Sequence, residues 1–198
     1  GWVENAAGYT YHNWYGFGAM DVSAALAMAE NYDSSTLGSF IQTEWFRIPH
    51  LNLEIPDERA QGVESEMDMP MNLVTESIQV MVRVTHEYLG ELGFELTSPS
   101  GTRSVLLNTA NGLEQQEFDD KQMTSNAFYG EPSQGIWRLK IVDPFGGNTG
   151  MLHGWSIRVN GHSATTAPVF AEEVTDLQAQ GGDEAVTLSF RMPQGDNS

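Results

Sequence analysis

Cysteine is absent from the 198 residues, which removes disulfides, thiol nucleophiles and cysteine-ligated metals together. Cations are scarce. Nine basic residues, only two of them lysine (Lys121 and Lys140), face 27 acidic ones, for a net charge of −18. A surface this negative repels duplex nucleic acid and anionic membranes, so neither is expected as a partner. No apolar run approaches the roughly 20 residues that span a bilayer, so no membrane span is expected. The opening "GWVENAAGYT" has none of the features of a secretion signal, and any targeting segment is expected outside the chain. The five histidines, His12, His50, His86, His153 and His162, form no close pair, and HExxH and CxxC are missing. There is no GxSxG elbow, and "GFGAM" lacks the preceding strand and spacing of a phosphate-cradling loop. A Ser-His-Asp triad would have to be assembled by the fold alone.

What is present is enough for a core. Hydrophobic residues make up 40% of the chain and the mean hydropathy is −0.33, as in one large domain or a medium domain with flanking pieces. Residues 1 to 32 stand apart. "NWYGFGAM" is aromatic and glycine-rich, and "DVSAALAMAENY" reads as one helix with Asp21 as N-cap. Val22, Ala25, Leu26 and Ala29 fall at i, i+3, i+4 and i+7, a small-residue face suited to close packing. A helix this short is marginal in isolation and is expected to dock on something larger.

From Phe40 onward the pattern is sheet. "ESIQVMVRVTH" places Ile78, Val80, Val82 and Val84 on one face, opposite Gln79, Arg83 and Thr85. "LGFEL" groups Leu92, Phe94 and Leu96, and Pro99 and Gly101 of "SPSGT" supply a turn. "GIWRLKIVD" alternates Trp137, Leu139 and Ile141 against Arg138 and Lys140, and "GWSIRVNG" alternates Trp155, Ile157 and Val159 against Ser156 and Arg158. Short alternating strands between glycine and proline turns predict an all-β, antiparallel sandwich, with a jelly-roll order favoured over an immunoglobulin one. After "VNGH", "SATTAPVFAEEV" reads as a linker, and "EAVTLSFRMP" alternates again through Val186, Leu188 and Phe190.

The acidic residues have two readings, solubility or calcium coordination. Asp57 (with Glu58 in "IPDE"), Asp119 and Asp120 in "EFDD", and Asp143 and Asn148 in "DPFGGNTG" place oxygen donors in turns and are the calcium candidates. None fits the twelve-residue helix-loop-helix pattern, and for Asp143 a turn aspartate bonding its own backbone is the favoured reading over calcium. The aromatics of "YTYHNWYGF" suit either a sugar-stacking platform or packing against a neighbouring domain.

Several of these stretches, in order, resemble a known family. "NWYGFGAMDVSAALAMAENY" resembles the closing segment of subtilisin-like serine protease domains. "IPD" with "GVES", then "VTHEYLGELGFELTSPSGTRSVLL", then "GIWRLKIVD" with "GMLHGWSIRVNG", resemble the P domain, or homo B, of kexin- and furin-like proprotein convertases and their bacterial relatives. The resemblance covers about residues 10 to 162. It departs at Leu89-Gly90-Glu91, where many relatives carry Gly-Asp and animal convertases often Arg-Gly-Asp, so integrin-style recognition is not expected. The resemblance implies three regions: 1–32, the end of a catalytic domain; 33–162, the P-domain sandwich; and 163–198, a linker and partial β-segment weakly similar to the start of a fibronectin type III module. It further implies a secreted, calcium-dependent serine endopeptidase as parent, with the nucleophile upstream of Gly1. The chain itself would be a monomer whose partner is the catalytic domain of the same polypeptide. Its expected role is to support the folding and stability of that domain without chemistry of its own, across a seam of Trp14, Tyr15 and Phe17. A carbohydrate- or protein-binding jelly roll is the alternative.

Overall fold

The computed structural model describes residues 1–33 and 39–163 in full, and the backbone of two strands, Thr175–Gly182 and Ala185–Arg191. The chain divides into two compact units, Gly1–Ala167 and Pro168–Ser198. The first begins with two short paired strands, β1 (Val3–Glu4) and β2 (Thr10–Tyr11), followed by a single α-helix, α1 (Val22–Glu30). Then come β3 (Phe40–Gln42), β4 (Phe46–Ile48), β5 (Leu53–Ile55), β6 (Arg59–Met69), β7 (Leu73–His86), β8 (Gly93–Thr97), β9 (Arg103–Leu107), β10 (Glu117–Ser125), β11 (Gly135–Asp143) and β12 (Gly150–Ser163).

These strands form the expected antiparallel sandwich. One sheet runs β10-β7-β12, with the short strands β3, β4 and β5 sharing the other edge of β12; the second runs β6-β11-β8-β9. The alternation sets the faces. Ile78, Val80, Val82 and Val84 of β7 are at most 1% exposed, and Trp155, Ile157 and Val159 of β12 lie beside them. Trp137, Leu139 and Ile141 of β11 and Phe94 and Leu96 of β8 close the core from the second sheet. A buried indole N–H needs an acceptor. Trp155 donates to Ser65 Oγ at 2.9 Å, and Trp137 to the Ser133 carbonyl at 2.8 Å.

Helix α1 starts as its sequence dictates, with Asp21 Oδ1 accepting from the Ala24 amide at 2.9 Å. None of its residues is buried, and Val22 and Leu26 of the apolar face are 59% and 63% exposed. Among the described residues no helix is long and apolar enough to cross a membrane. The second unit is an antiparallel hairpin of β13 (Thr175–Gly182) and β14 (Ala185–Arg191). The linker read from "SATTAPVFAEEV" lies outside the described residues.

Candidate functional site

Two regions concentrate polar chemistry. The first is where residues 1–18 meet the sandwich. Glu131 lies in the loop between β10 and β11 and is fully buried, with no cation paired to it among the described residues. Hydrogen bonds hold it instead. Ser98 Oγ donates to Oε2 at 2.6 Å, while Thr102 Oγ1 and the Ala6 amide (3.0 Å) both donate to Oε1. A buried carboxylate is tolerable only when its oxygens are satisfied in this way. Ser98 and Thr102 belong to the "SPSGT" turn, so Glu131 ties that turn to the N-terminal segment. Asn5 extends the tie by donating to the carbonyls of Ala127 (3.0 Å) and Tyr129 (2.8 Å). Tyr11 is buried and its hydroxyl donates to the Arg103 carbonyl. Tyr9, Phe17 and Tyr129 complete the contact edge-to-face, with ring centroids 5.3–6.3 Å apart. Burial pushes the phenols of Tyr9, Tyr11 and Tyr129 above their ordinary value of 10.0, with Glu131 adding to the rise at Tyr11.

The predicted seam residues divide. Phe17 packs on Tyr9 and Tyr129, whereas Trp14 and Tyr15 are 77% and 70% exposed, with Tyr15 against Trp2 and His12. Glu131 and Asn5 carried no local signal in the sequence, since one lies in "GEPS" and the other in "VENA". Only the approach of chain segments more than 120 positions apart reveals them.

The second region is one end of the sandwich, where the β5–β6, β7–β8 and β11–β12 connections meet. His86 and Asp143, both with fully buried side chains, are 3.1 Å apart through Nε2 and Oδ2. Asp143 Oδ1 accepts from the Phe145 amide at 3.1 Å, the turn-aspartate role. His86 Nδ1 lies 2.9 Å from the Tyr88 carbonyl and 3.2 Å from the Tyr88 amide, so with Nε2 on Asp143 both ring nitrogens are engaged. Among the described residues the ring's partners are Asp143 and the Tyr88 backbone, and no hydroxyl bonds to it. Glu91 lies close by, its ligand atom within 4.8 Å of those of His86 and Asp143, and it accepts from Asn148 Nδ2 at 2.9 and 3.1 Å. Asp57 accepts from the Gly147 amide at 3.1 Å, and Glu87 from the Thr149 amide at 2.8 Å.

Of the calcium candidates, then, Asp143 and Asn148 belong to the end of β11 and the β11–β12 connection, Asp57 reaches that connection from the β5–β6 turn through the Gly147 amide, and Glu91 joins them unforeseen. Asp119 and Asp120 sit apart on the bulge of β10 between Phe118 and Lys121. The oxygens of Glu91 and Asp143 suit a hard cation; the imidazole, with both nitrogens engaged, does not.

A hydroxyl–imidazole–amide row does occur. His153 Nε2 lies 2.8 Å from Thr85 Oγ1, and its Nδ1 lies 3.3 Å from Asn52 Oδ1. It spans an exposed sheet face with a threonine hydroxyl in the nucleophile position and an amide where a carboxylate would sit, so it lacks the charge that stabilises an imidazolium. The hollows at residues 115–121 (380 Å³) and between residues 11–17 and the ends of β9 and β10 (280 Å³) are lined by other residues. Trp137 and Trp155 are buried and offer no sugar platform.

Residues 75–159 match the family model of the proprotein convertase P-domain. The chain is 35% identical over 202 residues to the extracellular serine protease of Aeromonas sobria, covering 83% of this chain and 32% of that protein. It is 30% identical over 162 residues to human proprotein convertase subtilisin/kexin type 5, covering 72% and 8%. The crystal structure of the Aeromonas sobria serine protease with a chaperone superposes with a TM-score of 0.77 at 34% identity, over 83% of this chain and 34% of that one. The chain therefore spans about a third of the length of the Aeromonas protease. Through its sandwich it belongs to the proprotein convertase P-domain family, the accessory domain of subtilisin/kexin-like proteases.

Proposed function

We propose that this chain is the accessory region of a secreted, subtilisin/kexin-like serine endopeptidase, and that it supports the folding and stability of the catalytic domain with no chemistry of its own. The carrying observation is the two-sidedness of residues 1–30. One side is pinned to the sandwich through Asn5, Ala6, Tyr11 and Glu131. The other presents Trp14, Tyr15, Met20, Val22 and Leu26 to solvent at 59–81% exposure. Exposed apolar side chains gathered on one segment fit an interaction site, and covering them stabilises by about 25 cal/mol per Å². The catalytic domain of the same polypeptide, in a monomer, is the occupant this reading assigns. Secretion accords with the extracellular description of the Aeromonas sobria relative. The strand orders β10-β7-β12-β3 and β6-β11-β8-β9 support a jelly roll.

The test compares two proteins. Trp14→Ala with Phe17→Ala is expected to lower the Tm of the full-length protease by several degrees more than that of this 198-residue chain. Equal shifts in the two would place the seam elsewhere. Calcium belongs to the same reading. Glu91 and Asp143, with Asn148 bonded to Glu91 and Asp57 bonded to the neighbouring Gly147 amide, are the residues that would hold it, and it would neutralise carboxylates at one end of the sandwich. Excess calcium is expected to raise the Tm of this chain and chelation to lower it; Glu91→Ala removes the response. A melt indifferent to both sinks the calcium proposal and leaves the seam standing.

A further inference from the structure

The charge of this molecule is not evenly mixed. On the outer face of the β6-β11-β8-β9 sheet three cations each have a carboxylate: Arg138 with Glu66 at 2.7 Å, Arg103 with Glu95 at 3.5 Å and Lys140 with Glu64 at 4.0 Å. The outer face of the other sheet differs. Arg83 of β7 is in register with Gly154, Arg47 of β4 with Ser156, and Arg158 of β12 with Gln79. All three alternate with core residues (Val82 and Val84, Phe46 and Ile48, Ile157 and Val159), so all three point outward. Among the described residues none of them has a carboxylate within ion-pair distance.

Two of the three, Arg158 and Arg83, are held but not neutralised. Arg158 lies over the Trp45 ring at 4.5 Å and donates through Nε to Gln79 and through Nη1 to Gln42 (3.1 Å). Arg83 donates from Nη2 to the Pro49 carbonyl at 3.2 Å. Every acceptor is uncharged. The rows at 154, 156 and 158 step along β12 by about 7 Å per pair of residues, so the three arginines form a triangle, Arg83 on β7 and Arg47 on β4 flanking β12, which carries Arg158. Acidic residues bound it: Glu54 and Glu117 in the rows of Met151 and Thr85, and Glu76 beyond Ser77.

We infer that this Arg47–Arg83–Arg158 face docks a carboxylate-rich polypeptide segment. In a chain of net charge −18, three arginines without ion-pair partners among the described residues make a sheet face where an anionic group meets attraction. Guanidinium forks match carboxylates bidentately, and all three cations here are arginine rather than lysine. The acidic border repels a long polyanion such as nucleic acid and limits the fit to a few consecutive acids. The ring of Trp45 and the side chain of Met81 offer apolar surface between the charges for the aliphatic parts of such a segment.

The probe is fluorescein-labelled hexaglutamate, titrated against the 198-residue chain by anisotropy. Saturable binding is expected at low ionic strength, weakening as salt rises from about 0.05 to about 0.2 M. Arg47→Ala with Arg83→Ala is expected to raise Kd by at least about tenfold, because neither supports another side chain. Arg103→Ala with Arg138→Ala, on the opposite sheet, leaves Kd unchanged. Circular dichroism melts of both double variants establish that they fold. No saturable binding, or equal loss in the two double variants, overturns the inference. So does tighter binding of a sulfated oligosaccharide of equal charge, which would make the face a glycan site instead.

Discussion

Glu131 is the residue on which the joint between the N-terminal segment and the sandwich depends most directly. Its carboxylate gathers two hydroxyls and a backbone amide in a site with no water exposure and, among the described residues, no cation. Glu131→Ala leaves the Ser98 and Thr102 hydroxyls without this acceptor and the Ala6 amide with Thr102 Oγ1 alone, and each buried unsatisfied group costs roughly 1–3 kcal/mol. The expected result is a urea midpoint well below that of the wild type, with faster hydrogen exchange at the Ala6 amide. A loss no larger than that of Glu66→Ala, which breaks an exposed ion pair, would refute the role. This residue was not legible in the sequence. A glutamate in a loop normally points to solvent, and only the arrival of Ala6, Ser98 and Thr102 makes burial tolerable. Asp143 was half legible: its turn could be read locally, whereas its partner His86, 57 positions away, could not.

Among the elements, the N-terminal segment and α1 behave unlike the sandwich strands. The strands were legible because period-two alternation places each residue in or out without reference to its neighbours. The helix was legible in its cap and length, but its destination was not, since amphipathicity says that a face is buried and not by what. The tyrosines give this element a pH dependence. Tyr9, Tyr11 and Tyr129 have phenols raised above 10.0 by burial. For a group whose folded pKa is raised, stability is fully present below the unfolded value and is lost as pH climbs through the folded one. The Tm is therefore expected to hold to about pH 9 and to fall from about pH 10 upward. Tyr9→Phe, which removes an ionisable hydroxyl from the aromatic contact, should blunt that fall. An alkaline limb unchanged in the variant would place its origin outside the joint.

For the molecule as a whole, a charge of −18 sets a background of self-repulsion. Monovalent salt screens it over a Debye length of about 8–10 Å, so potassium chloride is expected to raise the Tm of this chain steadily. A flat response would mean that local pairing, as on the β6-β11-β8-β9 face, already offsets the excess. Composition alone established the sign and size of that charge, the absence of thiol chemistry and, with periodicity, an all-β sandwich with Trp137 and Trp155 inside. These are properties of each position or of its near neighbours, and they survive whatever the chain packs against. The tertiary structure decided everything that depends on what lies across a gap. It put Glu131 under the N-terminal segment, Asp57 on the Gly147 amide rather than beside Asp119, and three arginines on a face without a carboxylate in reach. Alternation says that Arg83 and Arg138 both point outward; only the pairing of strands decides that one meets a glutamate and the other does not.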